Sequence, residues 1–246
     1  MRGDAATDFL GWHCHRSEPW SFPLCLIKSY QFPRGTSLIY TGSIPLLAIP
    51  LKLIFSLAPP NFQYHGLWLL LGYSLQGYMS VLLMRQITGN PILILLAIPF
   101  FLLATVVVER SGWHMALTAH WIIIASLYLY FQRDVLRSKI KWIILLVLAV
   151  MVHFYLFVMA LIIFSAYLLK SVIEDEKHRI RPVIQLSGVT GVIIISSMWV
   201  LGYFVIDVRN VYTGGLGHHS MNVVSPSNSA GFSVILKSLP TASDGQ

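Results

Sequence analysis

Residues 142–169, WIILLVLAVMVHFYLFVMALIIFSAYLL, decide the fold. The run holds no Asp, Glu, Lys or Arg, and its middle is marked by His153. Crossing about 30 Å of hydrocarbon at 1.5 Å per residue takes about 20 helical residues. The run is therefore too long for one comfortable crossing and too short for two full ones. Its flanks settle the geometry: Arg133, Arg137, Lys139 and Lys141 precede it, and Lys170, Lys177, Arg179 and Arg181 follow it. Basic connectors stay on the cytoplasmic side, so the chain has to cross and return. The reading predicts two short helices, 142–152 and 153–169, meeting near His153. Backbone broken at that depth is tolerated only against protein or a wet cavity.

The same logic extends in both directions. Apolar segments at 62–84, 113–131 and 183–205 match one crossing each, and 91–108 is slightly shorter but uncharged and opens on Pro91, a good first-turn residue. Counting crossings outward from the basic loops puts Glu109 and His114 outside and leaves 206–246 as an external loop. Segment 44–58, IPLLAIPLKLIFSLA, reaches only about 22 Å as a helix. It contains Pro45 and Pro50, and Lys52 at mid-depth costs about 3 kcal/mol. An interfacial or re-entrant helix follows, with residues 1–61 outside; Arg2, Arg16, Lys28 and Arg34 argue instead for a cytoplasmic tail with 44–58 as a short span. Crossing parity fits both. The expected fold is thus all-α, a polytopic transmembrane bundle over 62–205 with an interfacial helix and an amino-terminal polar loop.

Composition agrees. Of 246 residues 56% are hydrophobic and 11% charged, with mean hydropathy +0.69, outside the range of soluble domains. The net charge of +7 sits in short connectors that orient helices, so a nucleic-acid partner is excluded. The opening MRGD lacks the apolar core of a cleavable signal peptide. Cys14 and Cys25 lie in one polar segment, where pairing in an oxidising space and two free thiols fit equally.

Candidate chemistry lies mostly at helix mouths. In ERSGWHMALTAHW, His114 and His120 are six apart and do not share a helix face, so a zinc site of the HExxH type is excluded. Trp113 reads as an interfacial anchor, while His120, an ionisable group at membrane depth, is expected to face the bundle interior. His153 is either functional or satisfies the break it occupies. His218 and Asn222 follow the glycine-rich TGGLGH and either close over a ligand or form a solvated loop. In GDAATDFLGWHCHRSEPWSFPL, the acids Asp4, Asp8 and Glu18 alternate with Arg2, Arg16, His13 and His15 between Trp12 and Trp20. That mixture suits a membrane-surface site that holds a phosphate and deprotonates a hydroxyl.

These stretches, together with SLIYTGSIPLLAIPLKLI, NFQYHGLWLLLGYSLQGY, HMALTAHW and HSMNVVSP, resemble an uncharacterised family of bacterial polytopic inner-membrane proteins. That family is distantly similar to the GT-C glycosyltransferases, which use polyprenyl-phosphate-linked sugars. The resemblance implies a transmembrane helix ahead of the first loop, so that the chain is truncated at its front and ends within its last loop. It implies a periplasmic residue 1–61 region and Asp4 as catalytic base. On this layout, and not from the resemblance, Arg16 or His114 is expected at the phosphate leaving group, Lys52 guiding the lipid phosphate, and Glu109, His120, His153, His218 and Asn222 in contact with substrate. The family's motif is expected to read TDSIPL; Gly42 stands here where that acid belongs, which puts activity of this copy in question. A lipid-linked sugar is the expected donor and a glycan or lipid the acceptor, with a divalent metal allowed by the chemistry but no strong ligand set in the sequence. The rival expectation is a non-catalytic carrier or assembly subunit whose histidines form a polar relay.

Overall fold

The computed structural model describes residues 4–54, 59, 62–132, 135–173 and 180–206. Nine α-helices lie among them: α1 (Asp4–Ser17), α2 (Pro45–Leu53), α3 (His65–Ile87), α4 (Pro91–Leu102), α5 (Thr105–Trp113), α6 (Trp121–Tyr130), α7 (Val135–Val152), α8 (Phe154–Ile173) and α9 (Ile180–Leu201). Between α1 and α2 runs a two-stranded antiparallel hairpin, β1 (Leu26–Ile27) and β2 (Thr36–Ser37), in which Leu26 faces Ser37 and Ile27 faces Thr36.

Helices α3, α8 and α9 are each long and apolar enough to cross a membrane. Helix α4 shows why water is the wrong solvent for this chain: it buries none of its residues, and Ile92, Leu95, Leu96 and Phe100 are 66%, 68%, 60% and 81% exposed. Four such side chains left in water forgo several kcal/mol of burial, whereas in lipid they are solvated. Inside the bundle, Trp142 is fully buried and packs its ring on Phe164 and Tyr167 at 5.2 and 5.3 Å. This tight aromatic contact between α7 and α8 relies on dispersion and does not need water to drive it.

Two spans differ from the sequence reading. The segment 91–108 is not one helix: α4 stops at Leu102, and α5 starts at Thr105 and continues to Trp113, with a 40° bend between them. The segment 113–131 is correspondingly not a full crossing. After Trp113 the chain makes a short 3₁₀ turn, Met115–Thr118, and only then α6, whose 10 residues reach about 15 Å. Hydrophobicity is continuous across the first joint, whereas the second carries His114, Thr118 and His120, which the sequence reading took for polar groups within one span. Between α7 and α8 the chain breaks at His153 alone, and both helices extend beyond the apolar run, α7 back to Val135 and α8 on to Ile173. Helix α2 is 9 residues long, about 13 Å, too short to cross.

The ends of the bundle can be told apart. At one end Lys170 of α8 lies over the Tyr130 ring of α6 at 4.9 Å. At the other, the Tyr203 hydroxyl just past α9 donates to the Val150 carbonyl of α7 (2.7 Å), and the Tyr40 hydroxyl donates to the Tyr203 carbonyl (2.6 Å). The Leu24 N–H donates to the Val200 carbonyl at 2.9 Å and Ser37 Oγ to the Leu201 carbonyl at 3.2 Å. The hairpin and α1 thus dock where α9 ends, opposite the Lys170 end.

Candidate functional site

The buried residues of α1 are Asp8, Gly11, Trp12, His15 and Arg16. Their spacing of i, i+3, i+4, i+7 and i+8 is that of an inward helix stripe, yet only Trp12 is an apolar side chain. A helix that turns an acid, a histidine and an arginine inward has been positioned by polar contacts rather than by hydrophobicity. Those contacts start at the turn 41–44. Ser43 Oγ donates to the Asp8 carbonyl at 2.6 Å, and the Ile44 N–H donates to the Tyr64 hydroxyl at 3.0 Å. Two glycines allow the approach. A Cβ on Gly11 would stand 2.1 Å from Thr41 Oγ1, and one on Gly42 2.1 Å from Asp8 Oδ1. Gly42 also has φ +76°, a conformation that side chains with a Cβ seldom adopt.

The clamp continues one turn on. Trp12 Nε1 and Arg16 Nη1 both donate to the Phe62 carbonyl at 3.0 Å, and Arg16 Nη2 donates to the Pro59 carbonyl at 2.9 Å. Arg16 therefore holds the approach to α3, and this engagement competes with the leaving-group role expected for it. Trp12 meets Tyr64 edge-on at 5.1 Å, and burial raises the Tyr64 phenol well above its ordinary range.

Lys52 is buried. Its Nζ lies 4.7 Å from the Trp20 ring centre, with Glu18, His15 and Cys25 in its electrostatic neighbourhood. Burial holds Lys52 below the usual lysine value, opposed by Glu18. Burial, and then Lys52, depress His15 to about 4, and its ring nitrogens have no hydrogen-bond partner among the described residues. Burial pushes the Cys25 thiol up to about 12, and both cysteines are free. Burial alone would raise Glu18; the Ser29 hydroxyl, the Lys28 and Ser29 N–H groups and Lys52 together hold it below the ordinary carboxylate value.

The other described sequence candidates lie around α5. Helix α1 packs on α5, which carries Glu109, exposed, and ends at His114, half-buried. His114 is an electrostatic neighbour of His153, whose Nδ1 accepts from the Tyr155 N–H at 3.2 Å. His120 starts α6, with Arg110 of α5 as its charged neighbour. Asp4 is the first residue of α1, one turn before Asp8, and its side chain lies outside the described set, as do His218 and Asn222. Among the described residues no three His, Cys, Asp or Glu side chains gather as a metal site. Sequence reasoning gave Asp8 and Arg110 no role. The signal for Asp8 was available in the i, i+4 spacing of Asp4 and Asp8, two acids on one helix face.

Among the described residues, a mostly helical bundle with three helices long and apolar enough to cross a membrane, capped at one end by a polar helix and a hairpin, has the make-up of a membrane-associated protein. The whole chain, residues 1–246, matches the family described as Domain of unknown function (DUF6311), and it belongs to that family. No curated protein and no solved structure matches it.

Proposed function

We propose that the chain is a GT-C-like glycosyltransferase of the bacterial inner membrane, moving a sugar from a polyprenyl-phosphate donor to a glycan or lipid acceptor at the periplasmic face. The observation that carries this reading is the polar inward stripe of α1, docked on α5 at the end of the bundle where the hairpin also sits. In the proposed reaction an acceptor hydroxyl attacks the anomeric carbon of the donor and its proton passes to the Asp4 carboxylate. The bond from the anomeric carbon to the phosphate oxygen breaks, and the polyprenyl phosphate leaves with the negative charge. Cations set against that developing charge lower the barrier. With Arg16 engaged on two carbonyls, that role falls to His114 and to Arg110 on the same helix. A donor anchored in the bilayer meets this end of the bundle already oriented.

A different observation favours the rival reading, a non-catalytic lipid or solute carrier or assembly subunit. Gln76 Oε1 and Thr190 Oγ1 are buried within spanning helices and have no hydrogen-bond partner among the described residues. Polar groups of that kind mark solute paths in membrane proteins. Asp4→Asn, made in cells, separates the two. The transferase reading expects the glycosylated product, followed by mass spectrometry, to fall at least 100-fold while membrane insertion is unchanged. Product at the wild-type level removes the enzyme.

A further inference from the structure

Between the end of α1 and the turn joining β1 to β2 lies an open cleft of about 690 Å³. Trp20 and Phe32 form apolar walls, and Lys28 and Arg34 stand exposed at its rim, with Glu18 also in the lining. Glu18 would repel an anion if its charge faced the opening, but its oxygens accept from the Lys28 N–H (2.9 Å), the Ser29 N–H (2.7 Å) and the Ser29 hydroxyl. Lys52 lies behind Trp20 in charge terms as well, acting on Glu18 from the protein interior. Counting Glu18 against Lys28 and Arg34, the lining of the cleft is net cationic.

Its height relative to the bilayer follows from α9. That helix is 22 residues long, about 33 Å, enough for one crossing. Its last turn is bonded to the hairpin region through Leu24, Ser37 and Tyr40, and Trp199 meets Phe22 edge-on at 4.7 Å. Trp and Tyr at a helix end mark the headgroup layer, so the cleft opens at that layer. Phe32 on its rim is 83% exposed, a large apolar side chain with no protein to cover it.

We infer that this cleft seats the phosphate headgroup of an anionic membrane lipid, with Lys28 and Arg34 on the phosphate and Trp20 and Phe32 against the glycerol and first acyl carbons. Apolar walls under a basic rim fit an amphiphile with one charged end, and guanidinium and ammonium groups are the usual phosphate partners. The assignment holds whether or not the chain transfers sugar. It predicts a lipid dependence that a free phosphate compound does not reproduce.

The test titrates the detergent-solubilised 246-residue chain with dioctanoyl phosphatidylglycerol, dioctanoyl phosphatidylcholine and glycerol 1-phosphate, with binding read by thermophoresis. The expected result is phosphatidylglycerol at least 10-fold tighter than either of the others, falling to the phosphatidylcholine level in Lys28→Gln/Arg34→Gln. Phe32→Ala, a change at an exposed position that keeps every charge, weakens phosphatidylglycerol about 3-fold or more. Equal affinity for the two lipids overturns the proposal, as does full retention in the double variant. Glycerol 1-phosphate binding as tightly as the lipid overturns the lipid assignment and leaves a site for a soluble phosphate compound. Should the double variant fail to fold, Phe32→Ala decides alone, and unchanged affinity overturns the proposal.

Discussion

His15 shows how a residue unremarked by pattern acquires a measurable property from its surroundings. Folded, it titrates near 4, and unfolded near 6.5. Between those values the unfolded chain holds the proton that the folded chain refuses, so stability rises with pH across that window and is lost as pH falls from 6.5 towards 4. The full loss is on the order of 3 kcal/mol. The melting temperature of the wild-type chain in detergent is expected to drop between pH 7 and pH 4.5, and His15→Phe, which keeps a ring beside Trp20 and removes the titrating nitrogens, to flatten that drop. Equal acid sensitivity in both would show that another group sets it. The sequence marked His15 as one of many polar residues in a mixed segment. It could not reveal the burial, because that comes from the 41–44 turn and from Lys52, which lie 26 residues or more away along the chain. The spacing of Asp8 from Asp4 was visible, but its closeness to Gly42 is a tertiary fact.

At the level of elements, the joint between α1 and α3 is held by Trp12, which donates to the Phe62 carbonyl, and by one guanidinium that donates to two carbonyls, Pro59 and Phe62. A lysine ammonium is a point donor and does not bridge two acceptors held by a planar fork. Arg16→Lys is therefore expected to cost about 2 kcal/mol and to lower the melting temperature by about 4–8 °C, read from tryptophan fluorescence in detergent; a variant that melts with the wild type would show the clamp to be dispensable. Legibility varied among the helices for physical reasons. Helices α3 and α9 stood out as apolar runs of crossing length, whereas α8 was read as the short second half of the 142–169 run and is 20 residues long. The break between α4 and α5 is marked only by Pro99 in the last turn of α4, and the 3₁₀ turn before α6 only by the flanking His114 and His120. There the path is set by neighbours, such as Trp68 Nε1 donating to the Met115 carbonyl at 2.8 Å.

For the molecule as a whole, the decisive measurement is the side on which α1 lies. Position 8 is buried and unsuitable for a chemical probe, but Ser17 and Ile173 are exposed at opposite ends of the bundle. In a Cys14→Ser background, in cells, Ser17→Cys is expected to react with a membrane-impermeant maleimide, and Ile173→Cys only after permeabilisation. The reverse pattern would place the polar helix in the cytoplasm and end the periplasmic reading. The bundle's overall helical character was legible from composition and periodicity alone; its two distinguishable ends were not, since they emerge from pairs such as Lys170 with Tyr130 and Tyr40 with Tyr203. The last of these pairs joins residues 163 apart, and Ser37 reaches Leu201 across 164. Translation delivers the hairpin long before its partner leaves the ribosome. The amino-terminal segment consequently waits, unlatched, until α9 has been made and packed, and maturation of this end of the bundle is timed by that helix.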